Sequence, residues 1–362
     1  MITISLCMIV KNEEEVIGRC LESAKDLVDE IIIVDTGSTD KTKEIASKYT
    51  SKIYNFEWID DFSAARNYSF SKATMDYIFW LDADDVLLEN DRLQFKNLKA
   101  ILPPNIDVVM MKYNLGIDKD GNPTASFYRE RLLKRSNNFK WYDPIHEYMV
   151  LSGKIVNTDI CISHKKLHGK TDRNLKMFER MIAQGKKLSD RNYFYYAREL
   201  FLHGRHDDAI VYYNKFLDTE DGYLSNYIDS CIDLSKCYKV KNDSKKSLKS
   251  LFRSFEYDAP RAEVCCLIGY HYKNSQDYIK AIFWFELSTK IKKPENRWGS
   301  IIPDCYDFIP YSELSVCHYQ AGNIDEAIKY TNKALEYKPN HPVILHNKKL
   351  YDQMIQNSKH PK

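Results

Sequence analysis

Three carboxylates within four positions, Asp82, Asp84 and Asp85, follow at once on the apolar run Tyr77-Ile78-Phe79-Trp80-Leu81. The run is too short for a helix and fits a buried strand. A buried strand that ends in Asp-x-Asp places carboxylates at its carboxyl end, where open α/β sheets bind ligands. Grouped carboxylates repel one another and need a cation beside them. Hard oxygen ligands suit Mg2+ or Mn2+, ions that keep water and bridge substrate phosphates. The chemistry on offer is a divalent ion holding a diphosphate. The plainer alternative is a solvated acidic turn after a strand.

The elements before this stretch must set its surroundings. Residues 2–10 are β-rich and apolar, a buried first strand. Val16, Ile17, Cys20, Leu21 and Ala24 recur at helical spacing, with Asn12 expected to cap that helix and Glu13, Glu14 and Glu15 in its first turn. Residues 30–35 form a second strand ending in an acid, residues 36–40 a tight turn, and residues 41–49 a second helix. Strand, helix, strand, helix implies a parallel sheet with right-handed crossovers. Asp35, backed by Gly37-Ser38-Thr39, can accept hydrogen bonds from a nucleotide's ribose or base; alternatively Asp35 and Asp40 cap the next helix. Asp61 and Arg66 can read a planar base edge together or simply pair with each other.

Further on, residues 108–113 are a candidate strand and residues 118–123 a polar turn. Residues 129–135 are locally basic: Arg129 or Arg131 could face a phosphate, or the run is a half-solvated strand. The stretch Trp141-Tyr142-Asp143-Pro144-Ile145-His146-Glu147 is dense in chemistry, with His146 and Glu147 on opposite faces if it is a strand. Glu147 could also be an ion-pair partner of Arg131 or a neighbour. Residues 160–164 read as a strand ending in His164.

Taken together and in order, three of these segments resemble the family 2 inverting glycosyltransferases of the GT-A nucleotide-sugar-binding fold. Val34-Asp35-Thr36-Gly37-Ser38-Thr39-Asp40 is similar to their VD-x-GSTD turn. Asp61-Phe62-Ser63-Ala64-Ala65-Arg66-Asn67 is similar to their D-F-S-x-A-R-N segment, and Leu81-Asp82-Ala83-Asp84-Asp85 to their D-x-D metal motif. The resemblance covers roughly residues 2 to 170. It implies that Asp35 and Asp61 bind the uracil and ribose of a UDP-sugar with Arg66 beside them, that Asp82 faces the ribose or the metal, and that Asp84 ligates the metal. Arg131 is the candidate for a phosphate. His164 stands where this fold often supplies a third metal ligand, with His168 as the fallback. Inverting transfer needs a general base opposite the leaving diphosphate. Glu147, in a segment resembling the V-H-E of members with helical repeats, is the first candidate, Asp143 the second and Asp85 the third.

From about residue 171 the pattern turns to continuous helix. Tyr193, Tyr196, Ala197, Leu200, Ala209, Tyr213 and Phe216 form one set, and Cys265, Ile268, Gly269, Tyr272, Ala281, Phe285 and Ser288 fall at the same offsets. Tyr311, Leu314, Ser315, His318, Ala327, Thr331 and Ala334 repeat them, and residues 226–257 form a degenerate member with Ser247 at the small position. This resembles the tetratricopeptide repeat of paired helices, whose period is about 34 residues. Residues 292–310, with Pro294, Trp298, Pro303 and Pro310, read as an inserted ordered loop. The expectation is therefore an α/β GT-A domain over residues 1–170, mostly parallel with helices on both faces, then an all-α repeat domain over residues 171–362.

Composition bounds the function. A net charge of +2 over 362 residues favours neither nucleic acid nor a membrane surface. The nine cysteines include no Cys-x-x-Cys pair, and residues 1–10 lack a basic leader, so a reduced cytoplasmic protein without a membrane span is expected. The 26 tyrosines suit helix packing or an aromatic groove. Catalytic domain plus repeats resembles enzymes that glycosylate peptides or proteins. A metal-dependent transfer from a UDP-sugar to a Ser/Thr hydroxyl or a Cys thiol is expected, the repeats holding the acceptor and a homodimer possible. The alternatives are transfer to a cell-surface glycan and a repeat scaffold with an inactive transferase domain. A nucleotidyltransferase would want a glycine-rich loop, and residues 10–15 contain no glycine.

Overall fold

The computed structural model describes residues 1–116, 126–165, 167, 171–220, 222–294 and 301–359. The polar turn at 118–123, His168 and Trp298 lie outside the described residues. The chain divides into two compact units, the first ending at Gly185 and the second beginning at Lys186.

The first unit runs β1 (Ile4–Val10), α1 (Ile17–Ala24), β2 (Glu30–Asp35), α2 (Thr42–Ala46), β3 (Ile53–Asn55), α3 (Phe62–Ser71), β4 (Tyr77–Trp80), β5 (Asp85–Val86), α4 (Glu89–Ile101), β6 (Val108–Leu115), β7 (Ser126–Lys134), β8 (Trp141–Tyr142), β9 (Tyr148–Met149), β10 (Ile155–His164) and α5 (Arg173–Ala183). Eight strands form one sheet in the order β3-β2-β1-β4-β7-β6-β10-β5, and β8 and β9 form a separate hairpin. The pairs β1–β2, β1–β4, β2–β3 and β6–β10 are parallel; those of β7 with β4 and β6, and of β5 with β10, are antiparallel. Two antiparallel steps through β7 restore direction, so β1, β2, β4, β6 and β10 all end at one edge. The carboxyl ends Val10, Asp35, Trp80, Leu115 and His164 share that edge.

The sheet is buried on both faces, which is why its central strands read as nearly continuous apolar runs. Leu6, Met8, Ile33 and Phe79 pack on one side with Ile17, Leu21 and Phe95; Cys7, Ile32, Ile78 and Trp80 pack on the other with Phe70, Phe139 and Trp141. Helix α1 starts five residues later than Asn12 and has no acid in its first turn. Asn12 instead adopts φ +54, and its side-chain oxygen accepts from Thr39 N at 2.8 Å, tying the β1 exit to the Gly-Ser-Thr turn. Residues 143–147 are not strand but the connection of the β8–β9 hairpin, with Asp143 and His146 both left-handed at φ +66 and +54.

Among the described residues the second unit is four helical hairpins and a last helix: α6 (Asp190–Leu202) with α7 (His206–Leu217), α8 (Leu224–Val240) with α9 (Ser244–Arg253), α10 (Ala262–Asn274) with α11 (Tyr278–Lys290), α12 (Phe308–Gln320) with α13 (Ile324–Tyr337), and α14 (Pro342–Lys359). Each hairpin turn carries a left-handed residue at the same place: Gly204, Asn242, Gln276 and Gly322. The small positions do what the repeat requires. A Cβ on Gly269 would stand 2.8 Å from the Phe285 ring, so only glycine lets α10 and α11 close to this distance. Where the small residue is polar it finds a partner: Ser235 Oγ lies 2.8 Å from Ser247 Oγ, and Ser315 Oγ 2.7 Å from Thr331 Oγ1.

Candidate active site

Strand β4 stops at Trp80 and the acidic residues form the turn that follows. Asp85 N donates to Asp82 O and Asp82 N donates to Asp85 Oδ2, both at 3.1 Å, which fixes the turn from within. The chain then re-joins the sheet as β5, whose Asp85 stands opposite His164 at the end of β10. Lys165 N donates to Asp84 O at 2.9 Å and completes the junction. One ligand atom each from Asp84, Asp85 and His164 therefore falls within 4.8 Å of the others. His164 Nδ1 is 3.4 Å from Asp84 Oδ1, 3.3 Å from Asp85 Oδ1 and 2.8 Å from the Tyr113 hydroxyl, which donates to Asp85 Oδ1 at 2.9 Å. The bonds to Asp84 and Asp85 raise the imidazole pKa to about 9, against burial.

Two arginines neutralise this turn from opposite sides. Arg131, 1% exposed on β7, pairs with the fully buried Asp85 at 3.1 Å and donates to Trp80 O. Arg66 on α3, 8% exposed, donates from Nη2 to Asp82 Oδ1 at 2.7 Å and from Nε to Glu147 Oε1 at 2.6 Å. Burial would push the Asp82 carboxyl up, yet the charges of Arg66 and Arg131 and the bond from Arg66 hold it down at about 2. Burial likewise disfavours the Arg66 charge, and Asp82 and Glu147 more than restore it. The indole of Trp80 serves as a floor for three guanidiniums, with Arg131, Arg66 and Arg129 at 3.9, 4.8 and 5.1 Å from its ring centroid. Guanidinium stacking on indole is favourable and strengthens where water is excluded.

Helix α3 holds the other wall. Asp61 caps it by accepting from Ala64 N at 2.9 Å and from Ser63 Oγ at 2.7 Å. Phe62 N donates to Pro144 O, and Asn67 exchanges two hydrogen bonds with the backbone of Trp141, each at 2.9 Å. The D-F-S-x-A-R-N segment and the Trp141–Glu147 stretch are thus one structural unit.

The fold brings together Asp82, Asp84, Asp85, His164, Arg66, Arg131 and Glu147. Asp35 is at the same sheet edge but two strands away, buried at 1% exposure and accepting from Gly37 N and Ser38 N at 3.1 Å. The suggested Asp61–Arg66 pair is not made: Asp61 is taken by the helix cap and Arg66 by Asp82 and Glu147. Glu147 pairs with Arg66 rather than Arg131. Arg131 itself is enclosed by Asp85, Trp80 and Tyr113, whereas Arg129, two residues back on β7 and also over the Trp80 ring, keeps a side chain 29% exposed beside Glu130. Asp85 is occupied by Arg131, Tyr113 and His164, and Asp143 is half-buried in the hairpin connection. Tyr113, Asn67 and Trp141 are not among the site residues expected from sequence, although Asn67 closes the D-F-S-x-A-R-N segment and Trp141 opens the stretch dense in chemistry.

Residues 5–158 match the model of glycosyl transferase family 2, and residues 262–357 match that of the prolyl 4-hydroxylase peptide-substrate-binding domain. The chain is 28% identical over 260 residues to the SPbeta prophage-derived glycosyltransferase SunS of Bacillus subtilis, an alignment covering 67% of this chain and 60% of that protein. It is 52% identical over 88 residues to a TPR repeat-containing protein of Synechococcus elongatus, covering 24% of this chain and 22% of that one. The chain thus spans less than two thirds of the length of these relatives. Among solved structures it resembles the C-terminal part of a TPR repeat-containing protein from Cytophaga hutchinsonii, with TM-score 0.43 and 16% identity over 52% of this chain and 67% of that one.

Proposed function

Starting from an N-terminal half that is a family 2 glycosyltransferase domain, we propose that this protein moves a sugar from a UDP-sugar to a peptide or protein acceptor by metal-dependent inverting transfer. The observation that carries this reading is the convergence of Asp84, Asp85 and His164 at the carboxyl edge of the sheet. Two hard oxygens and an imidazole nitrogen fit Mn2+ or Mg2+, and Asp82 could join them. An ion bound there supplies positive charge against the leaving diphosphate. Asp35 and Asp61, with the Gly-Ser-Thr turn, take the uridine end of the donor. Arg129, the accessible arginine of β7, is a better partner for a phosphate than the enclosed Arg131.

Glu147 is the base in this reading, drawing the proton from the acceptor as its oxygen or sulfur attacks the sugar carbon. Asp143 is the second candidate. Asp85, wholly buried against Arg131 and beside His164, is placed for the metal group rather than for the base. A Cys acceptor would ask less of any base, because a thiolate is already a strong nucleophile near neutral pH. The match of residues 262–357 to a peptide-substrate-binding domain supports an acceptor-holding role for the repeats. All nine cysteines are free, in keeping with a reducing cytoplasm, and no helix among the described residues is long and apolar enough to cross a membrane.

The test is direct. Full-length protein with Mn2+, UDP-glucose or UDP-N-acetylglucosamine, and peptides bearing one Cys or one Ser is followed by mass spectrometry. A one-sugar mass gain on a peptide supports the proposal. Donor consumption with only free sugar as product, across peptides of varied sequence, argues against a peptide acceptor.

A further inference from the structure

We propose that Asn67 is a positioning residue for the transfer step: its side-chain amide pins the Trp141 backbone and thereby sets where Glu147 stands relative to Asp82. The inference rests on the reading of Glu147 as the base.

The geometry is that of a missing strand. The N–H and C=O of one extended residue point to the same side. Those of Trp141 point at α3, where Asn67 Nδ2 donates to Trp141 O and Asn67 Oδ1 accepts from Trp141 N, both at 2.9 Å. A primary amide is the side chain that can answer both groups at once, having a donor and an acceptor side by side. The other side of the hairpin is held by β9, through the pairs Trp141–Met149 and Tyr142–Tyr148.

The connection from Asp143 to Glu147 needs such an anchor. Two of its residues, Asp143 and His146, are non-glycine residues at φ +66 and +54. Conformations of this kind persist where their surroundings over-determine them. Three ties from α3 do so: Phe62 N to Pro144 O, Arg66 Nε to Glu147 Oε1, and Asn67 to Trp141. Arg66 also bonds Asp82, so α3 spaces the proposed base from the acidic turn. Cutting the Asn67 tie leaves the Arg66–Glu147 pair in place but frees the base of the hairpin. Misplacement of a reacting group by about 1 Å can cost on the order of a hundredfold in rate.

The experiment is a double-mutant cycle on the full chain. It follows UDP release from UDP-glucose with Mn2+ and a Cys- and Ser-bearing model peptide, alongside calorimetric binding of UDP with Mn2+. Asn67→Ala is expected to lower kcat by about ten- to a hundredfold and to change UDP affinity less than about twofold. In the Glu147→Gln background the same substitution should change kcat by less than about twofold, because its route to the chemistry is already gone. Asn67→Asp, which keeps the volume and the bond from Trp141 N, should fall in between, and stands in if the alanine variant does not fold. If Asn67→Ala multiplies its full loss onto Glu147→Gln, or weakens UDP binding in parallel with kcat, the positioning role is wrong while the base assignment survives. If Glu147→Gln alone keeps the wild-type rate, the base assignment fails and takes the positioning route with it.

Discussion

The two units bury polar groups in opposite ways. In the first, charged side chains far apart in sequence converge on one corner: Arg66 reaches Asp82 and Glu147, Arg131 reaches Asp85, and His164 meets Asp84, Asp85 and Tyr113. In the second, buried polar groups are met within a hairpin or by the next one along the chain. Ser235 meets Ser247, Cys266 Sγ meets Ser288 Oγ at 3.3 Å and Ser315 meets Thr331, each inside one hairpin, while Tyr213 of α7 donates to Asp233 of the neighbouring α8. Repeated local pairs are what stacked helices need in order to pack closely. Convergence of like-charged groups is costly without a ligand or counter-charge, and so marks a place that does chemistry.

That contrast can be broken most severely at Asp84. Asp84→Ala should lower sugar transfer by about a hundredfold or more and remove the Mn2+ dependence of UDP binding, while leaving the thermal transition nearly unchanged. Transfer and manganese-dependent affinity that both survive would mean that the acidic corner is not a catalytic one. Arg131→Met should act the other way, on stability first. It leaves the Asp85 carboxylate buried without its cation, and breaking a buried pair costs about 3–5 kcal/mol in a denaturant titration.

Acid should expose a second ionic knot at the opposite end of the sheet. Glu30 is buried yet accepts from Lys52 Nζ, Ser5 Oγ, Thr74 N and Thr74 Oγ1. Burial raises its carboxyl pKa, but these bonds outweigh it and bring it from 4.5 down to about 2. Because the folded value is the lower one, the stabilisation is complete above pH 4.5 and is lost as pH falls towards 2. It amounts to about 3 kcal/mol, and Glu30→Gln should flatten the stability profile across that window. The smallest effect belongs to the repeats. Gly269→Ala should destabilise the second unit by about 1–3 kcal/mol through contact with Phe285, detectable by limited proteolysis, with UDP binding untouched. Loss of UDP binding in that variant would show that the damage is not local.

The strands, the acidic turn and the helical repeats were readable because each is a local pattern. An apolar run that ends in acids, a Gly-Ser-Thr turn and small residues at fixed offsets all carry their cause within a few positions. The hairpin around residues 141–149 was not readable as such, because its two strands are two residues each and its left-handed turn residues are Asp143 and His146 rather than glycine. Asn12 departs from its expected helix-capping place for a related reason. Its side chain answers Thr39, a residue 27 positions away, instead of the helix beside it.

Sequence alone therefore determined which acids stand at the sheet edge, that a histidine ends a later strand, and that the second half is built of paired helices. Which guanidinium meets which carboxylate was decided only by the tertiary structure: Arg66 and Glu147 are 81 positions apart, and Tyr113 and His164 are 51 apart. Charges of one sign are interchangeable along a chain. They become distinct only when strand order and burial fix their distances and remove the water that would otherwise screen them.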